Sequence, residues 1–272
     1  MPNLVAAHEL VSLEDAVYVG GQPEGKAAFQ QLRQLGIQTI VSVDGARPDL
    51  DLARQFQMRY VHVPLRYSGV DPEQCLNLAA TLRLYEGPFY FHCHHGRHRA
   101  PAAAACALIS AGKVSSTEGI RLLKAAGTGK DYLGLWASVR DGTEILDLED
   151  RLPNELPSIA ETNPFADSMA QLSRLADRWE TLISEPTENS APRKATKEKV
   201  AELSLLIREC FEEATRASIL PEKYQTDPFR KRLLVSKRLA ERLEAASRTS
   251  DATSLYQRLR SECKSCHQRY RN

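Results

Sequence analysis

The chain has 272 residues, 42% of them hydrophobic, so it is long enough to bury a substantial core in two ordinary domains. Its 36 basic residues against 35 acidic ones leave a formal net charge of +1, which excludes nucleic acid or an anionic membrane as the main partner and makes any anion recognition local. No apolar run approaches the roughly 18 residues of a membrane span, Met1-Pro2-Asn3-Leu4 lacks the charged start and apolar stretch of a signal peptide, and the six scattered cysteines do not form a disulfide framework.

In chain order, the first half alternates short β-rich runs with segments of helical period. Strands are expected at 16–20, 39–43, 60–63 and 89–92, with helices near 24–35, 49–57, 72–86, 100–112, 115–126 and 131–140. That alternation predicts an α/β domain, a central sheet with flanking helices, over 1–149. Leu152-Pro153-Asn154-Glu155-Leu156-Pro157 and Asn163-Pro164 are polar, punctuated by proline and without periodicity, so 150–164 reads as a linker. Beyond it the pattern is helical over 166–184, 197–218, 229–247 and 250–270, which predicts an all-α four-helix bundle at 165–272.

The first motif is His92-Cys93-His94-His95-Gly96-Arg97-His98-Arg99, between a buried strand and an Ala-rich helix. A cysteine followed six positions later by an arginine fits the physics of phosphate capture. The loop can turn its backbone N–H groups inward while the following helix aims the positive end of its dipole at the same point. Gly96 permits the tight backbone path, Arg99 can fork onto two phosphoryl oxygens, and the same field favours the Cys93 thiolate, the form that attacks well. His94, His95 and His98 beside Arg97 make a polarised rim for an anionic group, and neighbouring imidazoles also raise the question of a metal.

These residues resemble the protein tyrosine and dual-specificity phosphatase superfamily, whose signature is His-Cys-x5-Arg. Val19-Gly20-Gly21-Gln22-Pro23, Leu35-Gly36-Ile37-Gln38-Thr39-Ile40-Val41-Ser42-Val43 and His62-Val63-Pro64-Leu65 look like its compact bacterial branch, and the resemblance covers about 10–140. It implies that Cys93 is a nucleophile forming a phosphocysteine intermediate, that Arg99 stabilises the transition state and that His92 supports the loop and the thiolate. It also implies a phosphorylated protein or small phosphoester as substrate. Two positions depart from the family pattern. Ala100 stands where a Ser or Thr hydroxyl usually helps the cysteine leave, and the general acid falls to Asp71, 22 residues before Cys93, where Asp71-Pro72 is equally an N-cap and N1 pair. A rhodanese-type sulfur transferase also uses a cysteine loop at a strand end, but normally a shorter one without this arginine spacing.

The second motif is Cys263-Lys264-Ser265-Cys266-His267, the c-type haem attachment pattern. Two thiols one helical turn apart can each add to a haem vinyl group, and the adjacent imidazole can reach the iron. Placed on the fourth helix of an expected bundle and followed by Gln268-Arg269-Tyr270-Arg271, it resembles the cytochrome c-prime family. The resemblance implies covalent haem c on Cys263 and Cys266, His267 as proximal iron ligand, Met169 as a candidate sixth ligand, Arg269 or Arg271 as a propionate partner, and pairing of bundles into a homodimer. A Cys3His zinc site recruiting Cys210 and a redox dithiol are the competing readings.

Together the motifs predict a cysteine-dependent phosphatase fused to a haem bundle that transfers electrons to a redox partner or senses redox state or a gas. The alternative is a haem electron-transfer protein whose first half only binds anions or partners, or handles sulfur compounds. Haem attachment implies a periplasmic or exported protein; without it the expectation is cytoplasmic.

Overall fold

The computed structural model describes residues 8–11, 17–160, 164–184, 194–217, 220, 222–249 and 251–270. The chain divides into two compact units, 1–161 and 162–272.

Unit 1 is built on a five-stranded sheet: β1 (His8–Val11), β2 (Val17–Gly20), β3 (Thr39–Ser42), β4 (Arg59–His62) and β5 (Phe89–His92), in the spatial order β1-β2-β5-β3-β4. The four strands expected from sequence are parallel, and β1, which sequence reasoning missed, adds antiparallel at the edge of β2. Side chains alternate across the sheet as period two requires. Val17, Val19, Val41, Val61, Phe89 and Phe91 face one core with α3 (Pro72–Leu84) and α4 (Arg99–Ser110). Ile40, Tyr60 and Tyr90 face another with α1 (Gly25–Gln34) and α2 (Leu50–Gln55). The sheet is thus covered on both faces, the usual condition of a parallel sheet.

Helix α4 is the axial element. All twelve of its residues are buried, and the run Ala102-Ala103-Ala104-Ala105 lets it pack closely against the sheet, α3, α5 (Ser116–Ala125) and α6 (Leu133–Arg140). Small side chains here are a packing requirement as well as a helix preference.

The expected linker over 150–164 needs correcting in its first part. Leu148 and Leu156 belong to the core beneath α3, Leu156 N–H donates to Tyr85 Oη at 2.8 Å, and His62 N–H donates to the Pro157 carbonyl at 2.9 Å. Residues 152–160 therefore form a strap along the β4 edge, which covers strand polar groups that would otherwise be open. The segment lacks periodicity, as a connector does, yet Leu152 and Leu156 supply apolar anchors.

Unit 2 contains four long helices, α7 (Pro164–Ser184), α8 (Lys194–Arg216), α9 (Asp227–Ala245) and α10 (Ala252–Tyr270). They pack in chain order, and α10 also meets α7, where Trp179 stacks on Tyr256 with ring centroids 4.0 Å apart. Both polar ends are satisfied: Trp179 Nε1–H donates to Ser204 Oγ at 3.2 Å and Tyr256 Oη–H to the Ala176 carbonyl at 2.9 Å. Among the described residues, no helix is long and apolar enough to cross a membrane.

Candidate active site

The carboxyl ends of the parallel strands converge, and the residue after each is a natural place for chemistry. Cys93 follows β5, Asp44 lies two positions past β3, Gly21 follows β2, and Leu65 lies three positions past β4. Between Cys93 and Arg99 the chain makes a five-residue bend onto the N-terminus of α4. Cys93 is 1% exposed and Arg99 is fully buried.

Gly96 makes the bend possible. Its φ is +74°, and a Cβ there would run into the backbone of Gly20 and Gly21. The same close approach lets Gln22 N–H donate to the His94 carbonyl at 3.1 Å. Thr128 Oγ–H donates to the Arg97 carbonyl at 2.9 Å, so the loop is held from two sides. Of the expected rim, His94 and His98 are half-buried, while His95 and Arg97 are exposed. His94 and His95 lie with ring centroids 4.2 Å apart, and His98 stacks on Tyr132 at 4.0 Å. Among the described residues no group of three or more His, Cys, Asp or Glu is placed to hold a metal, at this rim or around Cys210.

Arg99 is held by groups that sequence reasoning did not single out. Its Nη2 donates to Asp44 Oδ2 at 3.0 Å, its Nη1 to the Leu65 carbonyl at 3.2 Å, and its guanidinium lies 4.2 Å from the centre of the Tyr67 ring. Asp44 Oδ2 also accepts from the His94 N–H at 2.8 Å, so one carboxylate oxygen ties the loop backbone to the arginine. The segment that carries Leu65 and Tyr67 is clamped on α6, where Val70 N–H donates to Ser138 Oγ at 2.9 Å. A signal for Asp44 existed: it is a carboxylate just past a buried strand, at the same end of the sheet as Cys93.

His92 is buried against Tyr60, with Tyr60 Oη 2.5 Å from its Nε2. Burial pushes its pKa down to about 4, so the imidazole is neutral near pH 7 and is held through Tyr60. Asp71 caps α3: its carboxylate accepts from Gln74 N–H at 2.8 Å, and its own N–H donates to Gln74 Oε1 at 3.0 Å. The side-chain bond shown for Asp71 is spent on this cap.

In unit 2 the second motif lies on the last two turns of α10. Cys263 and Cys266 are free, half-buried thiols, and His267 is exposed. Burial pushes the Cys263 thiol up to about 11 and raises Cys266 in the same direction. Phe229 meets both Phe165 at 5.8 Å and Tyr270 at 5.1 Å, which brings the start of α7 to the end of α10. Met169 stands half-buried one turn beyond Phe165. The two thiols thus lie one helical turn apart on α10, next to an exposed imidazole.

Two outcomes follow from this geometry. Gly96→Ala should cost at least about 2 kcal/mol through overpacking against Gly20 and Gly21, read as a lowered denaturation midpoint of unit 1 with loss of oxyanion binding. Because the His92 pKa in the fold lies below its ordinary 6.5, the unfolded chain binds more protons between about pH 6.5 and 4. Unit 1 should therefore lose about 1.4 kcal/mol per pH unit from this residue as pH falls through that window, and His92→Gln should flatten the slope. Hydrogen exchange of the β5 amides measures it.

No protein-family model matches the chain, and no curated protein matches it. Solved structures do. TpbA of P. aeruginosa is similar at 22% identity over 55% of this chain and 94% of that one, with a TM-score of 0.41. A variant of TpbA solved in complex with pTyr matches at 21% identity over 57% and 98%, with a TM-score of 0.43. A DUF442 protein of Shewanella putrefaciens CN-32 matches at 19% over 51% and 90%, with a TM-score of 0.39.

Proposed function

We propose that unit 1 is a cysteine-dependent phosphatase acting on phosphoesters. The observation that carries this reading is the loop itself: a buried cysteine and a buried arginine bracket a five-residue bend on the N-terminus of a twelve-residue helix, with the arginine fixed by a carboxylate, a carbonyl and an aromatic face. In the first step the Cys93 sulfur attacks phosphorus and the ester oxygen leaves with its electron pair, while Arg99 and the loop amides hold the phosphoryl oxygens as charge moves outward. In the second step water attacks the phosphocysteine and the Cys93 thiolate leaves.

The departures at Ala100 and Asp71 bear on rate. Ala100 offers no hydroxyl to the departing sulfur, and an acid committed to a helix cap is a poor proton donor to an alkoxide. The reading is therefore of an enzyme that favours aryl phosphates, whose phenoxide leaves with little protonation, and whose second step is slow. A loop that captures an anion is also what the binding alternative requires, so the two readings part on turnover.

For unit 2 we propose a four-helix bundle of the cytochrome c-prime kind. Cys263 and Cys266 would hold haem c through thioether bonds and His267 would ligate its iron, with Met169 as candidate sixth ligand. Such a group supplies a centre for electron transfer or for binding a diatomic gas. Export to the periplasm, where haem c is attached, belongs to the same proposal, as does a redox partner.

With p-nitrophenyl phosphate the wild-type chain should release a stoichiometric burst of nitrophenol followed by slow turnover, and Cys93→Ser should abolish both. Ala100→Ser should raise the steady rate and leave the burst amplitude unchanged. A burst with no turnover in either protein would favour the binding reading. Expressed with an export signal and haem-maturation proteins, the chain should gain the mass of one haem and a Soret band, both lost in the Cys263→Ser, Cys266→Ser variant. An unmodified mass would overturn the haem proposal.

A further inference from the structure

Asp44 lies at the centre of a buried relay that runs from the phosphoryl loop to the end of unit 1. Its Oδ2 takes the Arg99 Nη2–H and the His94 N–H, its Oδ1 takes the Ala46 N–H at 2.8 Å, and its own carbonyl lies 2.8 Å from His62 Nε2. On the far side of that ring, His62 Nδ1 accepts the Ala160 N–H at 3.1 Å. An imidazole that accepts at Nδ1 and is neutral carries its proton on Nε2, so His62 donates to the Asp44 carbonyl. Burial lowers the His62 pKa, in keeping with that neutral tautomer. The His62 backbone is tied to the same strap through the Pro157 carbonyl at 2.9 Å. Unit 1 ends at residue 161, directly after this strap.

We propose that Asp44 is the positioning residue of the phosphoryl loop, holding Arg99 and the His94 amide ready for the incoming group, and that the strap Pro157–Ala160 sets Asp44 through His62. The proposal rests on the phosphatase reading of Cys93 and Arg99 and adds how that site is regulated. Asp44 does not behave as a plug that would leave when substrate arrives. It is 2% exposed, both carboxylate oxygens and its carbonyl are bonded into three separate segments, and it is the carboxylate that balances a guanidinium with no exposure to solvent. A buried arginine deprived of its partner charge must move or recruit another anion. Held as it is, Arg99 keeps one orientation, and binding a phosphoryl group requires no reorganisation of the side chain.

The strap gives the relay an input. Any displacement of the chain where it leaves unit 1 acts on the Ala160 N–H and the Pro157 carbonyl, and both of their bonds end on His62. His62 in turn orients the backbone that carries Asp44.

The test uses the full chain, with tungstate as the oxyanion probe and p-nitrophenyl phosphate kinetics beside it. Asp44→Ala should weaken tungstate binding by about 10- to 100-fold, the range typical for removing an outer partner of a charged ligand site, with the loss falling on KM more than on the burst rate. Asp44→Asn, which keeps one oxygen acceptor but loses the charge that balances Arg99, should weaken it by about tenfold, and decides the matter if Asp44→Ala does not fold. His62→Leu, which cuts the relay and keeps buried volume, should shift affinity in the same direction by about tenfold or less. Glu118→Ala, which removes a capping partner on α5, should lower stability with tungstate affinity unchanged. If Asp44→Ala and Asp44→Asn lower only the melting temperature, or if either binds tungstate more tightly, the positioning role is overturned. If His62→Leu binds as the wild type does, the strap has no part. A wild-type chain that binds no tungstate would instead sink the phosphatase reading, and this proposal with it.

Discussion

A guanidinium with no access to water must be balanced where it stands, and much of unit 1 can be understood from how Arg99 is balanced. Taking an arginine out of water costs several kcal/mol, which only a close counter-charge and satisfied N–H groups can offset. Asp44 supplies the charge at 3.0 Å, the Leu65 carbonyl a second acceptor, and the Tyr67 ring a face. These three groups come from the segments after β3 and β4, while Arg99 itself opens α4 after β5. Three strand ends must therefore arrive in register for the charge to be tolerated at all. The parallel pairing of β3 with both β4 and β5 fixes that register.

The same constraint explains why glycine stands at 96. The loop must rise from β5, approach the β2 end closely enough for Gln22 to bond the His94 carbonyl, and return to place Arg99 under Asp44. Only a residue without Cβ passes Gly20 and Gly21 at that distance. The Ala-rich run of α4 belongs to the same problem, because the helix that carries the arginine is enclosed on every side and larger side chains would push it away from the sheet.

The parts of this structure legible in the sequence are those with local signatures. Four parallel strands show as β-branched and aromatic runs, helix starts show as Asp71-Pro72 and Ser115 with Glu118, and the loop shows as Cys93, Gly96 and Arg99 at fixed spacing. What stayed hidden depends on pairing between distant segments. His8–Val11 is four residues long, too short for alternation to separate from noise, and becomes a strand through β2. Asp44 looks like any loop carboxylate until Arg99 is brought against it from 55 positions away. The strap at 157–160 has the composition of a linker, and only the β4 edge beside it makes it part of the domain.

Asp71 shows how one residue type at one place carries two readings that structure weighs unequally. A general acid must present a protonated oxygen to the leaving group, whereas an N-cap must present an acceptor oxygen to a backbone N–H. The capping box with Gln74 occupies the Asp71 carboxylate in the second role. On the proposed phosphatase reading, a firmly held arginine beside an acid engaged in a cap would serve capture of the phosphoryl group more than its release. The absence of a hydroxyl at Ala100 lies in the same direction. If the proposed phosphatase chemistry holds, the carboxylate that orients Arg99 would act first on how well the loop captures its anion.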